Sequence, residues 1–325
     1  FTVTGANGMA VQLSLGTSGL NSNDRLASLG TDTAATSTLQ YLDGTTWRTY
    51  DASNPPVMPS SNQLLVRIAV TQDAVHEGNE SFTLTATSGS QTAVGIGTIN
   101  DEGEGDLYPD NTTGNKDTTS TKDDDRAVIS IGDATVSEGG NLVFTASLSN
   151  ASVYPISFTP VLTDVTATLG TDTAAATTLE VSYDGGANWT TVSGPVTFAA
   201  NHTSMQLRLA TVDDVTPESS ETLTLAPTNI SGTVKSQVVA SGQGTILDND
   251  GAPSFGINDV SVNEGAGTIT FTVTRNGSPA NPVTVAYTVN PGTATTADYS
   301  AAQLTGTLSF AANETTKTIV LNVTN

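Results

Sequence analysis

The sequence predicts an all-β chain built from tandem antiparallel β-sandwiches. Three observations lead there: short apolar runs with a period of two, turn residues set between the runs, and segments that recur along the chain. Ile269, Phe271 and Val273 alternate with threonines, Met205, Leu207 and Leu209 with Gln206 and Arg208, and Ile319, Leu321 and Val323 repeat the pattern. Side chains two apart share one face of a strand, so each run has one apolar and one wet face. Thr (57 residues) and Val suit a pleated, half-buried surface, while 30 Gly and 13 Pro fall between the runs as turn punctuation. No stretch carries a helical apolar stripe. Many short strands closed by turns argue for two sheets packed face to face.

Internal repetition sets the domain organisation. Leu29 to Ala35, LGTDTAA, recurs unchanged from Leu169 to Ala175. Asp73-Ala-Val-His-Glu77-Gly-Asn-Glu80-Ser-Phe82-Thr-Leu84 corresponds to Asp214-Val-Thr-Pro-Glu218-Ser-Ser-Glu221-Thr-Leu223-Thr-Leu225, and Gly-Ile-Gly-Thr-Ile-Asn-Asp101 to Gly-Gln-Gly-Thr-Ile-Leu-Asp248. A third copy opens with Val260-Ser-Val-Asn-Glu264-Gly, matching Thr135-Val-Ser-Glu138-Gly. Three units follow: 1–102, a sandwich expected to lack its first strand; 127–250, complete; and 253–325, expected to stop before its last strands. Residues 103–126 form an acidic linker whose only large apolar residues are Leu107 and Tyr108, too few to bury a core, and a loosely ordered spacer is expected there. Asp123, Asp124 and Asp125 could pin it through an ion, or remain a solvated acidic run. Gly251-Ala252-Pro253 is a short hinge.

Ten basic against 32 acidic residues leave a net charge of −22, which excludes sequence-blind binding to nucleic-acid phosphates. The chain has no Cys and two His, so thiolate catalysis, disulfides and Cys- or His-rich metal sites are out of reach. No apolar run is long enough for a membrane-spanning helix, and no insertion into a membrane is expected. No motif for nucleophilic, phosphate-transfer or metalloprotease chemistry occurs, and a non-enzyme is expected.

The acids are clustered. Asp213, Asp214, Glu218 and Glu221 fall between two predicted strands, and Asp248 and Asp250 close the same unit. Carboxylates crowded into one loop repel each other by roughly 1 kcal/mol per pair at 4–6 Å even at a water-like dielectric constant. A cation relieves that repulsion, and many hard oxygen donors without His or Cys select Ca2+. The plain alternative is a solvated acidic loop; recurrence of the spacing as Asp73, Glu77 and Glu80 argues against it.

With these residues in view, the sequence resembles Calx-β domains, and more closely the tandem Calx-β and immunoglobulin-like repeats of large bacterial surface adhesins. The resemblance rests on the two Glu-Gly openings at Glu138 and Glu264, Gly-Thr-Ala-Thr-Thr-Ala-Asp298-Tyr, Asp213-Asp-x-x-Pro-Glu218-x-x-Glu221 and Gly-Thr-Ile-Leu-Asp248-Asn-Asp250. It implies seven-stranded immunoglobulin-like sandwiches that bind calcium through loops at one end, near the next domain. The implied ligands are Glu138, Asp172, Asp213, Asp214, Glu218, Glu221, Asp248 and Asp250 in unit two. In unit one they are Asp32, Asp73, Glu77, Glu80, Asp101 and Glu102, where Gln72 replaces one acid and the opening Glu is missing. In unit three they are Glu264 and Asp298, without a partner loop.

The resemblance implies an extracellular, secreted or cell-surface location, neighbouring repeats as partners, and a calcium-stiffened spacer or stalk with a host or matrix surface as ligand. The unfinished ends fit an excerpt from a longer tandem array, or a second function, a filament or sheath subunit that exchanges strands with copies of itself. A carbohydrate-binding module is a third, since Trp47 and Trp189 could stack on sugars; the alternative for Tyr183-Asp-Gly-Gly-Ala-Asn-Trp189 is a hairpin turn with aromatic packing.

Overall fold

The computed structural model describes residues 1–325 apart from 18–19, 21–24, 109–114, 238, 278, 280, 296, 301–303 and 325. The regular elements among the described residues are strands and three short 3-10 turns, Thr36–Thr38, Ala176–Thr178 and Glu264–Ala266. No helix among the described residues is long and apolar enough to cross a membrane.

Unit two is a sandwich of two five-stranded sheets. One runs, in spatial order, Ile129–Ile131, Asn141–Leu148, Ser204–Ala210, Glu180–Ser182 and Thr190–Thr191; the other runs Ala134–Ser137, Gly242–Leu247, Glu221–Ser231, Ile156–Asp164 and Val196–Phe198. The segments exceed the seven strands implied by the resemblance because the opening strand breaks at Gly132-Asp133 and changes sheet, and because the insert ending at Trp189 makes a hairpin of its own. The period-two pattern sets the core: Leu207 and Leu209 lie opposite Phe144 and Leu142, and all four are fully buried with Leu223 and Leu225 of the facing sheet. Each such side chain contributes about 1.5–3 kcal/mol on leaving water. Gly244, in the repeated Gly-x-Gly-Thr-Ile segment, is where the second sheet passes this core, and a Cβ there would sit 2.8 Å from Phe144 and 3.0 Å from Leu142.

Unit one pairs Thr2–Thr4, Gln63–Arg67, Gln40–Asp43 and Thr46–Thr49 in one sheet. In the other, Glu80–Ser88 is flanked by Gln12–Gly16 and Arg25–Leu26 on one edge and by Gln91–Ile99 on the opposite edge. Unit three pairs Ser254–Ile257, Thr268–Asn276 and Thr316–Asn322, with Val283–Thr288 against Thr305–Phe310. Its buried core is small, built on Val273, Phe310, Ile319 and Leu321.

Units one and two are docked to each other. Val75–His76 pairs in parallel with Ala151–Ser152. His76 is 1% exposed, its Nδ1 3.3 Å from Ser152 Oγ and its Nε2 3.4 Å from Glu102 Oε1, with the Tyr154 ring 6.2 Å away. Residues 103–126 therefore connect the two units without separating them. The segment leaves and returns, with Glu102 bridged to Asp124 and Leu107 to Asp117. The described ends of the segment differ from a loose spacer because backbone bridges need no core, while residues 109–114 of that expectation lie outside the described residues. Asp124 is held by Arg126 at 2.9 Å and Lys235 at 3.6 Å, and these cations, led by the Arg126 hydrogen bond, lower its carboxyl to about 2. The charge at Asp124 is thus answered by side chains of the protein.

Candidate metal centre

Strand register assembles the acids of unit two at one end of the sandwich. Ser137 pairs in parallel with Leu247, which sets Glu138 beside Asp248, and the Glu138 amide donates to the Leu247 carbonyl at 3.1 Å. Glu221 pairs with Ile246 and starts its strand at the same end. The strand Ser204–Ala210 runs on to Thr211, whose amide donates to the Gly140 carbonyl at 2.8 Å, laying Asp213 and Asp214 against the turn after Glu138. Gly139 in that turn has φ of 76°, and a Cβ would lie 3.0 Å from the Asp213 Cβ, which explains the Glu-Gly pairing. The LGTDTAA turn is drawn in when the Val212 amide donates to the Asp172 carbonyl at 2.9 Å, while Asp172 accepts from the Thr168 amide at 2.6 Å.

One group of three acids results in unit two among the described residues. Carboxylate oxygens of Glu138, Asp214 and Asp250 lie within 4.8 Å of one another. Asp248 braces them, accepting from the Glu218 and Asp250 amides, both at 2.9 Å, and Asp213 accepts from Asn249 Nδ2 at 3.1 Å. Beside this group Glu221 meets Asp172; desolvation first, then the charge and hydrogen bond of Asp172, push Glu221 up to about 7. Desolvation, reinforced by neighbouring carboxylates, also raises Glu138, Glu218 and Asp250.

Glu138 Oε2 and Asp250 Oδ2 are buried and have no hydrogen-bond partner. A buried acceptor left unpaired costs about 1–3 kcal/mol, more when charged. A cation set among these oxygens removes that penalty and the mutual repulsion together. The donors are all hard oxygens and numerous enough for the six to eight ligands calcium takes, so the residues present fit that ion.

Unit one repeats the scaffold with different contents. Oxygens of Asp32, Glu77 and Glu80 lie within 4.8 Å of one another, and the Glu77 amide donates to Asp101 Oδ2 at 3.0 Å as Glu218 does to Asp248. Here a guanidinium enters the group: Arg25 Nη2 is 3.0 Å from Glu77, Arg25 Nε is 2.8 Å from Glu80, and Nη1 donates to the Glu77 carbonyl. Burial, with the hydrogen bond that protonated Glu80 donates to Asp32, raises Glu80 to about 8 against the pull of Arg25. Asp73 accepts from the Val75 amide at 2.8 Å and adds its charge to Asp101, which desolvation raises. Asp125, 8% exposed, is pushed up to about 6 by desolvation first and then by Asp123, Asp101 and Asp73. Asp123 and Asp125 thus stand with unit one's acids, a grouping the sequence did not reveal. Glu102 stands apart from the Asp32 group, facing His76.

In unit three, Glu264 begins a short 3-10 turn, and Asp298 accepts from the Thr295 amide at 2.6 Å and hydroxyl at 3.0 Å, bonds that lower its carboxyl. Among the described residues neither joins a group of three acids. The tryptophans sit under guanidinium groups, Arg67 over Trp47 and Arg208 over Trp189, each 4.2 Å from the ring centroid. Trp189 Nε1 donates to the Gly186 carbonyl at 2.9 Å, closing the hairpin turn.

The Calx-beta domain profile matches residues 58–101, 161–251 and 248–325. No curated protein matches the chain. Similar solved structures include CBD12 from CALX1.2 (25% identity over 60% of this chain and 75% of that one, TM-score 0.31). The calcium binding domain CBD12 of CALX1.1 (26%, covering 61% and 76%, TM-score 0.34) and the apo-form Calx CBD1 domain (21%, covering 38% and 99%, TM-score 0.29) are also similar. The profile covers more than half of the chain and takes in acid-bearing loops of all three units, Asp73 to Asp101, Asp172 to Asp250, and Glu264 with Asp298. The chain belongs to the Calx-beta domain family.

Proposed function

We propose that the chain is a non-catalytic structural repeat region in which calcium braces the carboxylate end of unit two. The observation that carries this is the pair of buried, unpartnered oxygens, Glu138 Oε2 and Asp250 Oδ2, inside a ring of acids. Glu138, Asp213, Asp214, Asp248 and Asp250 would hold one ion, and Asp172, Glu218 and Glu221 a second. The ion supplies positive charge and oxygen coordination. The chain's own residues supply a preformed end of the sandwich, with Asp248 fixing the loop that carries Glu218 and Asp250 leading directly into the Gly251-Ala252-Pro253 hinge. Bracing at that position stiffens the step from unit two to unit three.

The same reading places the chain outside the cell, as a spacer or stalk of a bacterial surface adhesin carrying a ligand-binding region for a host or matrix surface. Millimolar extracellular calcium suits an all-carboxylate site, and ions rather than disulfides brace a chain with no Cys. Titrating calcium into the chelator-treated chain, with scanning calorimetry, tests the core of the reading: calcium is expected to raise the transition of unit two, and the double change Glu138→Gln, Asp250→Asn to remove the rise. Melting indifferent to calcium and chelator alike would overturn it.

A second reading, assembly by strand exchange, is favoured by the strand Gln91–Ile99. Among the described residues it pairs on one side only, with Glu80–Ser88, and Val94 and Ile96 are 54% and 56% exposed. The matching strand of unit two has its second edge filled by Ala134–Ser137. Electron microscopy of the chain with Ile96→Lys against the parent distinguishes the readings: filaments lost on substitution support exchange, and dispersed particles in both support the spacer.

A further inference from the structure

The carboxylates of unit one already hold a cation. Arg25 reaches Glu77 and Glu80 at 3.0 and 2.8 Å, and its Nη1 takes the Glu77 carbonyl as well. Glu80, the deepest member of the cluster, is 4% exposed. Arg25 belongs to the short strand that pairs in parallel with Glu80 and Ser81. The corresponding position in unit two follows from the hydrogen bonds: the Ala27 amide donates to Ser81 at 3.0 Å, and the Ala167 amide donates to Thr222 at 2.9 Å. Arg25 therefore aligns with Val165, which is 57% exposed and carries no charge. By position in the repeat, the triad Asp32, Glu77 and Glu80 corresponds to Asp172, Glu218 and Glu221, of which Glu221 meets Asp172, and the place of Arg25 is taken there by the uncharged Val165.

A guanidinium stays charged at any physiological pH and presents its donors as a planar fork suited to two carboxylates. It cannot share the cluster with a divalent ion, because the two charges would repel across a few ångströms of partly buried space. The same side chain also faces unit two, its Cζ 5.8 Å from the Tyr154 ring centroid. Gly78, with φ of 76°, leaves the room for that ring; a Cβ there would touch it at 3.4 Å.

We propose that Arg25 is a resident counter-ion, standing in unit one where unit two takes a metal ion among Asp172, Glu218 and Glu221. It closes this cluster to calcium and ties it to Tyr154, so that the joint between units one and two holds without the ion while the end of unit two depends on it. The comparison rests on the calcium reading of unit two. The test is equilibrium dialysis of the chain, residues 1–325, against calcium, counting bound ions in the parent, Arg25→Val and Val165→Arg. The expected result is one ion more per chain for Arg25→Val and one fewer for Val165→Arg. Uptake by Arg25→Val equal to the parent overturns the proposal. Should that variant fail to fold, the exposed Val165→Arg decides, and uptake equal to the parent overturns the proposal. A parent chain that binds no calcium overturns the calcium reading instead, and the gain or absence of an ion in Arg25→Val still decides the role of Arg25.

Discussion

Glu138 and Asp250 bring carboxylate oxygens within 4.8 Å of each other from the opening and closing segments of one sandwich, and each leaves a buried oxygen without a partner. Like charges so placed oppose folding in the absence of a counter-ion. Glu138→Gln is therefore expected to raise the melting temperature of unit two in chelator and to lower its response to calcium. In the parent, calcium bound as proposed would, at a hundred times its dissociation constant, add about 2.7 kcal/mol per site. Calorimetry with and without chelator measures both effects, and a variant less stable than the parent in chelator would refute the repulsion argument.

The pH response of the metal-free chain follows from Glu221. Its folded value, about 7, lies above its ordinary 4.5, so the folded state holds the proton more tightly than the unfolded state. This contribution is fully present below pH 4.5 and is lost as pH rises through about 7. In chelator, the transition of unit two should fall between pH 5 and pH 8, and Glu221→Gln should flatten the fall. Calcium competes with that proton, so its affinity should rise over the same interval. A chelated transition that climbs with pH through this window would contradict the assignment.

Gly244 lies against Phe144 and Leu142 with no space for a methyl group. Gly244→Ala is expected to cost unit two about 1–3 kcal/mol through overpacking. Its counterpart Gly97, where a Cβ would meet Phe1 at 2.8 Å and Phe82 at 2.9 Å, should do the same to unit one alone. Urea unfolding of each variant, followed by the transitions of both units, checks that the losses stay separate.

Trp189 has one ring face occupied by Arg208 and its Nε1 engaged by Gly186. Soluble glycans should leave the tryptophan emission unchanged. Arg208→Ala should shift that emission to the red and destabilise unit two by about 0.5–1 kcal/mol for the cation–π contact alone. Quenching by a glycan in the parent would return sugar stacking to contention.

Much of this was legible in the chain because the features repeat. The alternation at Met205, Leu207 and Leu209 read directly as a buried strand face, and the acid spacing shared by Glu77 and Glu218 proved to be one device, an amide donating to Asp101 or Asp248. The unit joint was not legible, since Val75–His76 meets Ala151–Ser152 through backbone pairing that no side-chain pattern encodes. Arg25 escaped for another reason. It is a lone base distant in sequence from the acids, and only the uncharged Val165 at the same place in unit two marks it as out of place. The placement of Asp123 and Asp125 depended on how residues 103–126 return to unit one, and composition is silent on chain path.

That returning path has a mechanical consequence. Because Glu102 meets Asp124, a pull applied between units one and two would pass through that bridge and the Val75–Ala151 contact. The contact then acts as a latch. If the latch opens, about 80 Å of contour is released at full extension before the next covalent stretch comes under tension. The tether would lengthen in one step, dissipating load while both sandwiches stay folded.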